Sequence, residues 1–184
     1  MLSRIRIYHW AGPLFLLVYL IQVQLILPLE RLLSSDQALN ASYLFLPAGV
    51  KVVTFYVSRW RSLPSLFAGI LCCYAWIYMP PGSSIGLIIL MSLGSTLALP
   101  LGYWLACHVG GLDLFKGWRG SPHWVALLAL VGLASIINGL ALNYVWSSTP
   151  DPMLLLRFAT GDVMGTLVLM LVAMFVMRRR RLNA

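Results

Sequence analysis

Residues 85–107 read IGLIILMSLGSTLALPLGYWLAC, twenty-three consecutive positions without a charge. A helix needs about 20 such residues to cross about 30 Å of hydrocarbon. The stretch is far longer than a buried strand and carries no turn signal within it, so it reads as a membrane span. Five further apolar segments flank it, and the length rule gives six spans: 9–28, 43–58, 63–79, 85–107, 123–146 and 153–177. Pro64, Pro80, Pro81, Pro122, Pro150 and Pro152 fall at the proposed boundaries, where proline is tolerated at helix starts.

Composition agrees with this reading. The chain has 184 residues, 60% hydrophobic and 10% charged, with a mean hydropathy of +0.86. Soluble domains carry about 25% charged residues. The expectation is one all-α integral membrane domain over residues 1–184, a bundle of six transmembrane helices. The net charge of +8 does not indicate nucleic acid, because the basic residues gather at segment ends.

Their distribution sets an expected orientation. Arg4 and Arg6 precede the first span, Arg59 and Arg61 follow the second, and Lys116 and Arg119 follow the fourth. Arg178, Arg179, Arg180 and Arg181 follow the sixth. The opposite loops hold Arg31, offset by Glu30 and Asp36, the uncharged "MPPGSS" and the acidic "SSTPDP". Basic residues stay inside, so both termini are expected in the cytoplasm, in a bacterial inner membrane. The first span is long, contains Gln22 and Gln24, and is not followed by an A-x-A site, so it reads as a retained helix rather than a signal peptide. The terminal "MRRRRLNA" reads as a stop-transfer anchor that can also meet anionic lipid.

Familiar chemistry is not legible. Cys72, Cys73 and Cys107 give neither a disulfide framework nor a metal spacing. His9, His108 and His123 read as interfacial residues at cytoplasmic helix ends. The chain carries no P-loop or dinucleotide fingerprint. No catalytic residue, metal or cofactor is therefore assigned, and the expected function is not enzymatic.

What stands out is a set of polar residues inside apolar runs. Lys51 lies eight residues into the second span and Asp162 nine residues into the sixth, roughly 12–13 Å deep at 1.5 Å per residue. Asn138, Ser92, Ser95, Gln22 and Gln24 fall at comparable depths. Charge in a bilayer costs about 3 kcal/mol or more per group and faces the bundle interior. The layer is expected to be either a polar cavity for a small ligand entering from the periplasmic side or hydrogen-bonding glue between helices. Asp162 is expected to pair with Lys51, with Arg157 as second choice. Arg157 is only four residues into its helix and can snorkel outward. Gly161 and Gly165 form G-x-x-x-G, a close-packing signal. Pro47 and Pro100 are expected to kink their spans and free backbone carbonyls.

A weak internal echo accompanies these features. "LFLPAGVKVV" and "LALPLGYWLA" share L-x-L-P-x-G, and "RWRSLPSLF" parallels "GWRGSPHWV". The echo suggests helical hairpins related by duplication.

On these residues the chain resembles a known family. "LFLPAGVKVVTFYVSRWRSLPSLFAGIL" is similar to the P-x-G, helix, basic turn and glycine-bearing helix of the MASE1 family of bacterial integral-membrane sensory domains. "RFATGDVMGTLVLMLVAM" resembles that family's G-D-x-x-G helix. The likeness covers Leu44 to Leu71 and Arg157 to Met174, and marks Pro47, Gly49, Gly69, Gly161, Asp162 and Gly165. It implies a sensory module. The family's domains precede a kinase or diguanylate cyclase, whereas this chain is expected to stop four arginines after its last span and to act through a partner protein. Two other classes fit the same sequence: a substrate-binding subunit of a transporter, and a structural or assembly subunit of a larger membrane complex.

Overall fold

The computed structural model describes residues 8–33, 42–78, 84–109, 131, 134–136, 138–139 and 152–182. Every regular element among them is helical. Helix α1 covers Tyr8–Leu33, and buries Ala11, Phe15, Val18, Tyr19 and Gln22 while exposing Leu14, Leu17 and Leu20. That spacing is the 3.6-residue period of a helix with one face inward. Helix α2 covers Leu46–Ser58, and a 3₁₀ turn at Arg59–Ser62 leads into α3, Leu63–Cys73. Helix α4 covers Ile85–Val109, and α5 covers Pro152–Leu182. Residues 131, 134–136 and 138–139 are also helical. Most of the fifth expected span, 123–146, lies outside the described residues, as do Lys116, Arg119 and His123.

Among the described residues, three helices are long and apolar enough to cross a membrane: Tyr8–Leu33, Ile85–Trp104 and Pro152–Phe175. Their large apolar side chains face outward, with Leu90 65%, Leu156 62% and Phe175 66% exposed. The segments expected at 43–58 and 63–79 are shorter. Helix α2 has 13 residues, about 20 Å at 1.5 Å per residue. Helix α3 has 11 before it widens into a π turn at Tyr74–Tyr78.

Proline placement explains part of the difference. Pro47 sits in the first turn of α2 and Pro64 in the first turn of α3, where a missing N–H costs nothing and the fixed φ favours helix. Pro47 therefore starts its helix and does not kink it, which corrects the sequence-based expectation. Pro100 does lie inside α4. The two copies of L-x-L-P-x-G thus serve different local structures, which removes the structural force of that echo.

Close glycine contacts join the helices. A Cβ on Gly69 would stand 2.7 Å from the Gly12 carbonyl oxygen, and one on Gly49 would stand 2.8 Å from that of Gly165. Only a hydrogen side chain permits either approach. Around the first crossing, Phe15, Tyr19, Ile70 and Tyr74 form one apolar cluster with Val50 and Met91. Around the second, Val52, Phe55, Leu99, Val131 and Met170 form another. Arg59 between α2 and α3 has φ 53°, an unfavourable backbone for a side-chain-bearing residue. Its guanidinium lies 5.6 Å from the Tyr103 ring centroid and 6.0 Å from that of Tyr56, a cation–π arrangement that helps offset the strain.

Candidate functional site

The segment entering α2 is fixed from two sides. The Phe45 backbone N–H donates to the Gly161 carbonyl at 2.9 Å. The Leu46 N–H donates to Gln22 Oε1 at 3.1 Å, and Gln22 Nε2 donates to Ser42 Oγ at 2.8 Å. The Leu44 N–H donates to Glu30 Oε1 at 3.0 Å. The first N–H groups of a helix have no intrahelical acceptor. Here a buried glutamine on α1 accepts from one of them, in place of a capping side chain at Phe45.

Between these elements lies a cavity of about 110 Å³. Phe15, Tyr19 and Gln22 reach it from α1, Phe45 and Lys51 from α2 and its approach, and Ile70, Cys73 and Tyr74 from α3 and its π turn. Ser95 comes from α4, Ser135 and Asn138 from the helical residues before α5, and Phe158 and Asp162 from α5. A second hollow of about 20 Å³ adjoins Lys51, Ser95, Ser135, Asn138 and Asp162 as well, so these polar side chains stand between two spaces.

The polar wall is internally connected. Lys51 Nζ donates to Ser95 Oγ at 3.2 Å. Asp162 is hydrogen-bonded with Ser135, and the Tyr74 hydroxyl with Ser95 and Asn138. The charges of Lys51 and Asp162 are close enough to act on each other. Backbone register shows how they meet. Gly161 meets Ser42, Gly165 meets Phe45, and Gly49 meets Gly165 and Leu169, contacts that advance together along both segments, so α2 and α5 run parallel. By these contacts Lys51 is level with residues 167–171, roughly 8–14 Å past Asp162 along the axis. Along the α2–α5 crossing the two residues are therefore not level, because α2 starts at or past the level of Asp162. A helical side chain leans toward its own N-terminus, so the long lysine chain reaches back toward Asp162, and the two charges act on each other.

The structure thus gathers Lys51, Asp162, Asn138 and Gln22 around one cavity. Ser92 is fully buried but donates to the Ile88 carbonyl at 2.7 Å, within its own helix; its neighbour Ser95 lines the cavity instead. Gln24 is exposed. Arg157 lies with its guanidinium 5.5 Å from the Tyr43 ring centroid and is not among the lining residues. Gly161 and Gly165 pack against the backbone of Ser42 and Phe45.

Tyr74 and Ser135 escaped the sequence reading. A tyrosine or serine in an apolar run carries no burial signal of its own. The signal for Tyr74 is a π turn, and the other π turn, Gln22–Ile26, also begins on a residue lining the cavity. Such turns recur at functional sites. In α1 the turn is followed by Pro28, whose missing N–H and ring bulk favour a widened turn.

Among the described residues no three His, Cys, Asp or Glu side chains gather as metal ligands. Cys72 is exposed and Cys73 buried, both as free thiols. No protein family, curated protein or solved structure matches the chain.

Proposed function

We propose that this protein is a non-enzymatic sensory or regulatory module of a bacterial inner membrane, with six spans and both termini in the cytoplasm, that binds a small ligand and acts through a partner protein. The observation that carries the reading is the cavity: two opposite charges, Lys51 and Asp162, reach one space from helices packed backbone to backbone. Ionisable groups within membrane helices are expensive and mark functional positions. A ligand that alters their balance would bear directly on the α2–α5 contact. The resemblance of the α2–α3 and α5 segments to MASE1 domains supports the sensory assignment. In the six-span arrangement the two short helices sit among longer neighbours, and their basic junction at Arg59 and Arg61 faces the cytoplasm.

The same cavity would serve the substrate-binding subunit of a transporter, and the two readings differ in what assembles with the chain. Photocrosslinking residues placed at exposed Leu90, Leu156 and Phe175 in native membranes test this. The sensory reading expects a signalling protein in the crosslinks, with a yield that changes in the Asp162→Asn variant. A transport ATPase in the same crosslinks supports the transporter. Lipid alone at all three positions argues against a partner on these faces.

A further inference from the structure

We propose that the cavity takes a small zwitterion, an amino-carboxylate of the size of a simple amino acid, with its ammonium end at Asp162 and Ser135 and its carboxylate at Lys51 and Ser95. This rests on the reading of the cavity as a binding site.

Size sets the first limit. An engineered apolar cavity of about 150 Å³ holds benzene, so a space of about 110 Å³ suits about four or five non-hydrogen atoms by the same scale, the size of the smallest amino acid.

Charge sets the second. Lys51 and Asp162 reach the same space, each with a serine hydroxyl beside it. A cation alone would satisfy Asp162 and stand against Lys51. An anion would do the reverse, and either would leave a net charge in a low-dielectric interior, where Coulomb energies are several-fold larger than in water. A neutral molecule would displace water from both charged groups without replacing its charge-assisted hydrogen bonds. A molecule with one charge of each sign, a few bonds apart, avoids all three penalties. Phe45, Phe158 and Tyr74 line the same space and offer aromatic faces to an ammonium group. Asn138 is left to accept from or donate to either end.

The test uses the full chain in lipid nanodiscs and isothermal titration with five probes of similar size. Glycine and β-alanine are zwitterions with short and longer charge separation; isopropylammonium, propionate and propionamide carry one charge or none. At least one zwitterion is expected to bind about tenfold more tightly than the other three probes, a difference of about 1.4 kcal/mol. Lys51→Met is expected to weaken the zwitterion about tenfold and turn preference toward isopropylammonium, and Asp162→Asn to turn it toward propionate. The double variant, which keeps the wall uncharged overall, is expected to prefer propionamide. Tighter binding of propionamide or of a single-charge probe to the unaltered protein overturns the zwitterion and leaves the binding site standing. No binding by any probe overturns both. A double variant that still prefers the zwitterion overturns the assignment of its two ends to these side chains.

Discussion

Gly49 and Gly165 face each other across the α2–α5 crossing so closely that a Cβ on Gly49 would stand 2.8 Å from the Gly165 carbonyl oxygen. A methyl there has only backbone and Leu169 to push against. Gly49→Ala and Gly165→Ala are each expected to lower stability by about 1–3 kcal/mol, the cost of overpacking. Gly94, with open space around it in α4, is the control. Gly94→Ala is expected to leave stability unchanged or raise it by up to about 1 kcal/mol through helix propensity. Thermal unfolding in one detergent reads all three, and equal losses at Gly49 and Gly94 would remove the close-crossing argument.

Lys51 and Asp162 should be energetically coupled. Removing either charge leaves the other on a partly buried wall, which costs about 3–5 kcal/mol for a buried pair. Lys51→Met and Asp162→Asn are therefore each expected to destabilise more than their combination would suggest, with a coupling of about 1–3 kcal/mol. Reversible unfolding of the two single variants and the double variant measures it. Simple additivity would mean that the two charges are held independently by Ser95 and Ser135.

Thr166 offers a change in the opposite direction. It is fully buried, and its hydroxyl has no hydrogen-bond partner among the described residues. Thr166→Val keeps the shape and removes the unsatisfied group, so a gain of about 1 kcal/mol is expected. A loss of that size would show that the hydroxyl is satisfied by water in the folded protein.

Gln22 holds the start of α2 through Leu46 and Ser42. Gln22→Leu is expected to cost about 1–3 kcal/mol, since both partners lose a buried hydrogen bond. Hydrogen exchange at the Leu46 amide should accelerate while that of mid-helix Val52 stays protected. Unchanged exchange at Leu46 would show that the glutamine is not its acceptor in solution.

The six-span arrangement has its own test. Reporter fusions after Asp36, Gly82 and Ser148 are expected to read periplasmic, and those after Ser62 and Gly117 cytoplasmic, by the basic-loop asymmetry. One reversed pair would leave fewer spans, with α2 and α3 as buried or re-entrant helices.

The sequence revealed α4 and α5 well, because each is a long apolar run bounded by charge or proline. It misjudged α2. An apolar stretch from Tyr43 looks helical throughout, but the hydrogen bonds of Phe45 and Leu46 to Gly161 and Gln22 hold the chain outside the helix up to Leu46. Those partners are distant in sequence, so no local pattern announces them. Lys51, Asp162 and Asn138 could be read because a charge or amide in an apolar run is conspicuous. Ser92 and Ser95 could not be told apart, since three residues on a helix differ by a small rotation and only packing decides which one faces the cavity.

The π turns at Gln22–Ile26 and Tyr74–Tyr78 have a consequence for the chain's tolerance of change. A wide turn holds one residue more than an α turn, so the rest of its helix is out of phase with the part before it by about 100°, one residue's share of a 3.6-residue turn. In α1 the residues after the turn include Glu30, which accepts from Leu44. Deleting a single residue within that turn would restore a regular helix and leave Glu30 near its partner, whereas a deletion elsewhere in α1 before Glu30 would swing it away by about 100°. The wide turn is thus the one place in α1 where the chain tolerates the loss of a residue; a change of length elsewhere is felt by every contact beyond it.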